Sequence, residues 1–103
     1  MNVIKNIEEQ FKILKKIDSN PAVTQRKLAK YLGYSLGKLN YCLKALNQKG
    51  LIKIKNVYNN PNKIKYLYIL TPNGIKIKMK LAINLMAKKM KEYDELKLDI
   101  KKN

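Results

Sequence analysis

Lys38, Asn40, Tyr41, Lys44 and Gln48 fall on one side of a helical segment whose other side is Leu36, Leu39, Leu43 and Leu46. The polar side joins cations to a planar amide and a phenol, and that chemistry is non-covalent. An Asn40 amide can pair at two points with an adenine edge. Lys38 can reach the O6/N7 edge of guanine, and Tyr41 can stack or bond a phosphate. Gly37, near the start of the segment, weakens a helix but lets another molecule approach its backbone. Ser35 stands where it can cap the helix and also bond a phosphate. An ordinary solvent-facing helix could carry the same residues, so the surrounding charge has to separate the two readings.

That charge is lopsided. Between Ser19 and Lys91 there are sixteen Lys or Arg and no Asp, Glu or His. All seven acids lie outside: Glu8, Glu9 and Asp18 before this block, Glu92, Asp94, Glu95 and Asp99 after it. The net charge of +16 therefore resides in the middle of the chain. Self-repulsion of this kind opposes compaction. It is best explained by a polyanionic partner, whose neutralised phosphates release counterions and give sequence-independent affinity. A Lys-rich composition accounts for some of the lysines but not for the missing acids.

The composition also excludes functions. Without His, and without acids in the central block, general acid–base catalysis lacks its usual groups. A metal would find one thiol and scattered carboxylates. The chain is therefore not expected to be an enzyme or to hold a metal or cofactor. No apolar run approaches the ~20 residues of a membrane span, and the N-terminus lacks the apolar core of a secretion signal. The lone Cys42 fits a reducing compartment, so a cytoplasmic protein is expected. Cys42 itself lies beside the apolar stripe and reads as a small core residue; a redox-sensing role would need an exposed, stabilised thiolate.

At 103 residues the chain suits one modest core. Ile4, Ile7, Phe11, Leu14 and Ile17 form a helical stripe that stops at Asn20-Pro21. Thr24 caps a second helix over Gln25–Leu32, ended by Gly33. Ser35 caps a third, about Leu36 to Lys49, ended by Gly50. Leu51-Ile52-Lys53-Ile54-Lys55 then switches to a strand period, and Asn56 to Asn62 reads as a hairpin tip. Lys63–Leu70 is the returning strand. Thr71-Pro72 starts a last helix that runs to about residue 101.

This order is that of a mainly α (α+β) winged helix-turn-helix: residues 1–71 as the three helices and a two-stranded wing, 72–103 as a long C-terminal dimerisation helix. Gly33-Tyr34-Ser35 makes the tight turn that would angle the third helix for a major groove. On the last helix Ile75, Met79, Ala82, Met86, Lys89, Tyr93, Leu96 and Ile100 alternate by four and three, a near-heptad with one polar break. A helix of ~28 residues spans roughly 40 Å, more than a small domain covers, so these apolar residues are expected at a homodimer interface. Arg26, the only Arg, would grip phosphate from the second helix. Lys55, Lys63 and Lys65 would bring the wing to the adjacent groove.

Thr24 to Ser35, followed by Leu39, Leu43, Leu46, Lys49-Gly50-Leu51-Ile52 and Leu70-Thr71-Pro72-Asn73-Gly74, resembles the MarR family of bacterial and archaeal regulators. The likeness extends to short MarR-like proteins of exopolysaccharide gene clusters, and the run Ser35–Leu46 is its most specific part. The resemblance covers about Phe11 to Leu98 and implies a dimeric regulator of double-stranded DNA. MarR-like wings often carry Asp-x-Arg, with the Arg in the minor groove. Here Asn62-Lys63-Ile64 takes that place, which leaves Lys63 or Lys65 for a phosphate contact. Two other classes fit the charge: a winged-helix module that binds an acidic protein, and an RNA binder using Tyr66 and Tyr68 on one strand face. A small-molecule effector has no specific support in the sequence.

Overall fold

The computed structural model describes residues 6–60 and 63–102, and at 57–60 and 63–65 it describes the backbone alone. Ile4 and the Pro61-Asn62 part of the hairpin tip lie outside the described residues.

Each of the first three helices begins on a side-chain cap. In α1 (Ile7–Ser19) the Glu8 N–H donates to Asn6 Oδ1 at 2.8 Å. In α2 (Gln25–Leu32) the Lys27 N–H donates to Thr24 Oγ1 at 3.1 Å. In α3 (Leu36–Gln48) the Lys38 N–H donates to Ser35 Oγ at 3.1 Å. These hydroxyl and amide oxygens satisfy N–H groups that no helical turn can reach. The ends of α2 and α3 share one device: Gly33 and Gly50 take φ of 72° and 73°. Tyr34 N then donates to the Ala29 carbonyl (2.8 Å) and Leu51 N to that of Leu46 (3.0 Å). A left-handed glycine followed by such a bond stops a helix sharply and turns the chain.

Ile13, Leu14 and Ile17 of α1, Leu28 and Ala29 of α2, and Leu39, Cys42, Leu43 and Leu46 of α3 form one core. Leu36 departs from the expected stripe and is exposed. It sits in the first turn of α3, beyond the core's edge, and Cys42 completes the buried face instead.

Strands β1 (Ile52–Asn60) and β2 (Lys63–Leu70) pair antiparallel from Ile52 opposite Leu70 to Tyr58 opposite Ile64, with an irregularity between Tyr58 and Asn60. β1 therefore extends five residues past the expected strand. Val57 and Tyr58 favour extended backbone, and the ladder runs through the Asn-rich stretch. Tyr68 roots the wing in the core, and its N–H donates to the Pro21 carbonyl at 3.1 Å.

Helix α4 (Pro72–Lys102) has 31 residues, roughly 46 Å of helix. Its first half packs through Gly74, Leu81 and Leu85, with Ile77 partly buried. Lys78 reaches Asp18 of α1 at 2.5 Å and Lys89 approaches Glu8 at 4.0 Å. Exposed pairs of this kind add little stability, but they show α1 lying along α4. From Met86 to Lys102 every residue is exposed, and the molecule measures 66 × 28 × 26 Å.

One close approach fixes where α4 begins. A Cβ on Gly74 would stand 2.0 Å from the Leu51 carbonyl oxygen, a backbone atom that cannot swing away. Gly74→Ala is therefore expected to lower stability by about 1–3 kcal/mol, the usual cost of overpacking. A lowered urea midpoint with an unchanged m-value would show it; an unchanged midpoint would refute it.

Candidate nucleic-acid interface

The turn Gly33-Tyr34-Ser35 sets α3 against α2. Tyr34 is half-buried on the core and acts as the peg of the turn. Burial pushes its phenol up, and the nearby Glu9 carboxylate adds to the effect. The Lys38 ammonium lies 4.0 Å from the centroid of the Tyr34 ring. Lys38 thus rests in a cation–π contact at the N-terminal end of α3.

Gly37, Lys38, Asn40, Tyr41, Lys44 and Gln48 are all exposed, opposite buried Leu39, Leu43 and Leu46. The structure thus brings six of the expected contact residues onto one face of one helix. Ser35 caps that helix and is exposed at its start. Gly37 needs no special backbone conformation, and a Cβ there would meet nothing within 4 Å. The fold therefore does not demand glycine at 37. Arg26 is exposed in the first turn of α2, and Lys55 is exposed on β1. Lys63 and Lys65 lie on β2, but their side chains are outside the described ones.

The capping chemistry preserves the charge pattern. The first turn of α1 carries Glu8 and Glu9, whereas those of α2, α3 and α4 carry no acid. Acids there would favourably oppose the helix dipole. Neutral Thr24 and Ser35 satisfy the N–H groups of α2 and α3 without placing negative charge on this face.

Two features were not foreseen in the sequence. A cleft of ≈ 290 Å³ lies between the start of α2 and β2, lined by Val23, Thr24, Gln25, Tyr66 and Tyr68 among others. The shared strand face of Tyr66 and Tyr68 hinted at it, but the packing of β2 beside Pro21 is a tertiary contact. Tyr68 is buried and Tyr66 is exposed, so this strand offers one stacking ring rather than two. The second feature is that Ile83, Met90 and Leu98 are exposed on α4 besides the heptad residues. Among the described residues no cluster of three or more potential metal ligands occurs, and no helix is long and apolar enough to cross a membrane.

Cys42 is fully buried. Burial pushes its thiol up, and this outweighs the opposing pull of the Lys38 ammonium. The reactive thiolate is thus disfavoured near neutral pH. Native protein at pH 8 is expected to resist a thiol reagent that labels the urea-unfolded chain completely; rapid labelling of the native state would contradict this burial. At position 37, Gly37→Ala is expected to raise the stability of the free protein by up to ~1 kcal/mol through helix propensity. If DNA meets the backbone at this point, the same variant loses affinity, so thermal unfolding and a binding titration should move in opposite directions.

Comparison with known proteins agrees with this geometry. Residues 10–53 match a family described as winged helix-turn-helix DNA-binding. No curated protein sequence matches the chain. Among solved structures, it is similar to the PcaV transcriptional regulator from Streptomyces coelicolor in complex with its natural ligand. There the TM-score is 0.66 and identity 18%, over 76% of this chain and 54% of that one. It is similar to a transcriptional regulator homologue from Pyrococcus horikoshii OT3, with TM-score 0.65 and 18% identity over 82% of both chains. It is also similar to the transcriptional repressor CouR bound to a 23-mer DNA duplex. In that case the TM-score is 0.68 and identity 23%, over 84% of this chain and 59% of that one. The chain thus spans little more than half the length of PcaV and CouR. With three helices, a two-stranded wing and a long closing helix in this order, the chain is a winged helix-turn-helix protein of the architecture shared by these regulators.

Proposed function

We propose that the protein is a non-enzymatic, MarR-like transcriptional regulator that binds double-stranded DNA as a homodimer. The observation that carries this reading is the exposed, acid-free face of α3, presented by a helix-turn-helix within a segment that matches a DNA-binding family. Each subunit would place α3 in a major groove of a pseudo-palindromic site, with half-sites about one helical turn apart. Asn40 and Lys38 read base edges, Tyr41 and Lys44 meet bases or backbone, and Gly37 and Ser35 let the helix start close to a phosphate. Arg26 grips the backbone from α2. Lys55, Lys63 and Lys65 carry the wing along the neighbouring groove through phosphate contacts.

The exposed Ile75, Met79, Met86, Tyr93, Leu96 and Ile100, with half-buried Ala82, supply the dimer seam. The likeness of Ser35–Leu46 to exopolysaccharide-associated regulators extends the proposal to genes of that kind. The burial of Tyr68 weighs against the RNA reading, since an unstacked base would find a single ring on that strand.

Selection of binding sites from random duplex at stated salt tests the reading. An enriched two-fold-related site is expected, and weak, sequence-blind adhesion would overturn it. Lys44→Ala should lower the slope of log K against log salt by about one and weaken all sequences alike. Asn40→Ala should flatten preference at one base position at a cost of about 1–3 kcal/mol, leaving the slope nearly intact. Survival of the interaction under excess unrelated duplex in moderate salt, on a protein partner alone, would favour an assembly module instead.

A further inference from the structure

We infer that the two copies of α4 run antiparallel, in a register that lays the Glu92–Asp99 stretch of each helix, which carries four acids and one lysine, along the lysine-bearing root of the other; this rests on the homodimer reading above. Two observations independently support it, the sizes of the seam residues and the charge along the helix.

The seam pairs best with its own reverse. When two copies of α4 overlap end to end in opposite directions, Ile75 faces Ile100, Met79 faces Leu96 and Ala82 faces Tyr93. The smallest side chain on the seam thus meets the largest, the alternation that interdigitated helices need. Near the middle Met86 faces Lys89, the polar break. Lys89 directs its ammonium towards Glu8 of its own α1, 4.0 Å away, which leaves its aliphatic stem to cover the methionine. On the flank of the same register Ile83 comes beside Met90. These two side chains are 55% and 60% exposed in the single chain and lie off the heptad seam. A parallel pair would stack Ala82 on Ala82 and leave a gap there.

Charge points the same way. The root carries Lys76, Lys78 and Lys80, whereas four of the chain's seven acids lie between Glu92 and Asp99. Among the described residues none of these four has an ion-pair partner within 4.0 Å, since the two pairs formed use Asp18 and Glu8. Antiparallel packing brings Glu95 and Asp99 to the level of Lys80 and Lys76, two opposite-charge pairings against the one like-charge pairing of Lys97 with Lys78. It also sends the two strongly basic domains to opposite ends of the seam. Parallel packing would set acid beside acid and one basic domain beside the other, where like charges repel.

Cysteine coupling in the full-length protein tests the register. Ile75→Cys and Ile100→Cys are made separately, with circular dichroism confirming that each folds, and oxidised alone and mixed. The unsubstituted protein, whose one thiol is buried, is the control. The mixture is expected to shift from 12.0 kDa to twice that mass on a non-reducing gel, while each variant alone stays at monomer mass. Self-coupling of Ile100→Cys would show a parallel seam and overturn the inference, leaving a homodimer intact. A dimer in sedimentation with no coupling in the mixture would overturn the register as well. A monomer in sedimentation at every concentration would remove both the inference and the homodimer.

Discussion

The architecture depends on a small junction where α3, the wing and α4 meet. Thr71 Oγ1 donates to the Gly50 carbonyl at 2.5 Å and accepts from the Gly74 N–H at 3.0 Å. The Thr71 N–H donates to the Leu51 carbonyl at 3.0 Å. One residue thereby ties the end of α3, the start of β1 and the first turn of α4. Gly74 closes the gap by bringing its backbone directly onto Leu51. With those atoms fixed, the angle between α3 and the wing is set, and so is the direction in which α4 leaves the domain. Those two directions together decide how the exposed face of α3 is placed relative to the outer half of α4.

A second constraint is electrostatic. A domain of about 70 residues with almost no internal acid gives up ion pairs and carboxylate caps that would stabilise it. Neutral caps at Thr24 and Ser35, left-handed glycines and an entirely apolar core compensate for this without spending negative charge on the exposed face. The acids that remain lie on α1, at its C-terminal end or first turn, and on the outer half of α4. There they join α1 to α4 or stand clear of the basic domain.

Position 37 and position 74 show glycine used for opposite reasons. At 74 the fold itself has no room for a side chain, whereas at 37 it has room to spare. Packing within the chain therefore explains the glycine at 74 and not the one at 37. At 37 alanine would favour the helix, so the isolated chain is less stable there than it need be.

The sequence by itself determined the elements and their order. Caps, left-handed glycines and the change from helical to strand period are local signals, set by backbone sterics and by hydrogen bonds within a few residues. The bounds of α2 and the start of α3 and α4 were readable for that reason, as was the exposed face of α3. What only the tertiary structure decided depends on distant partners. Leu36 has the right spacing for the core but lies past its edge. Val57 and Tyr58 continue a strand because β2 is there to pair with them. Tyr68 is buried while Tyr66, two residues away on the same face, is not, because the core ends between them. Lys38 rests on Tyr34, and Gly74 on Leu51, because the turn and the junction bring them together in space; periodicity reports which face of an element is apolar, not how far the core beneath it extends.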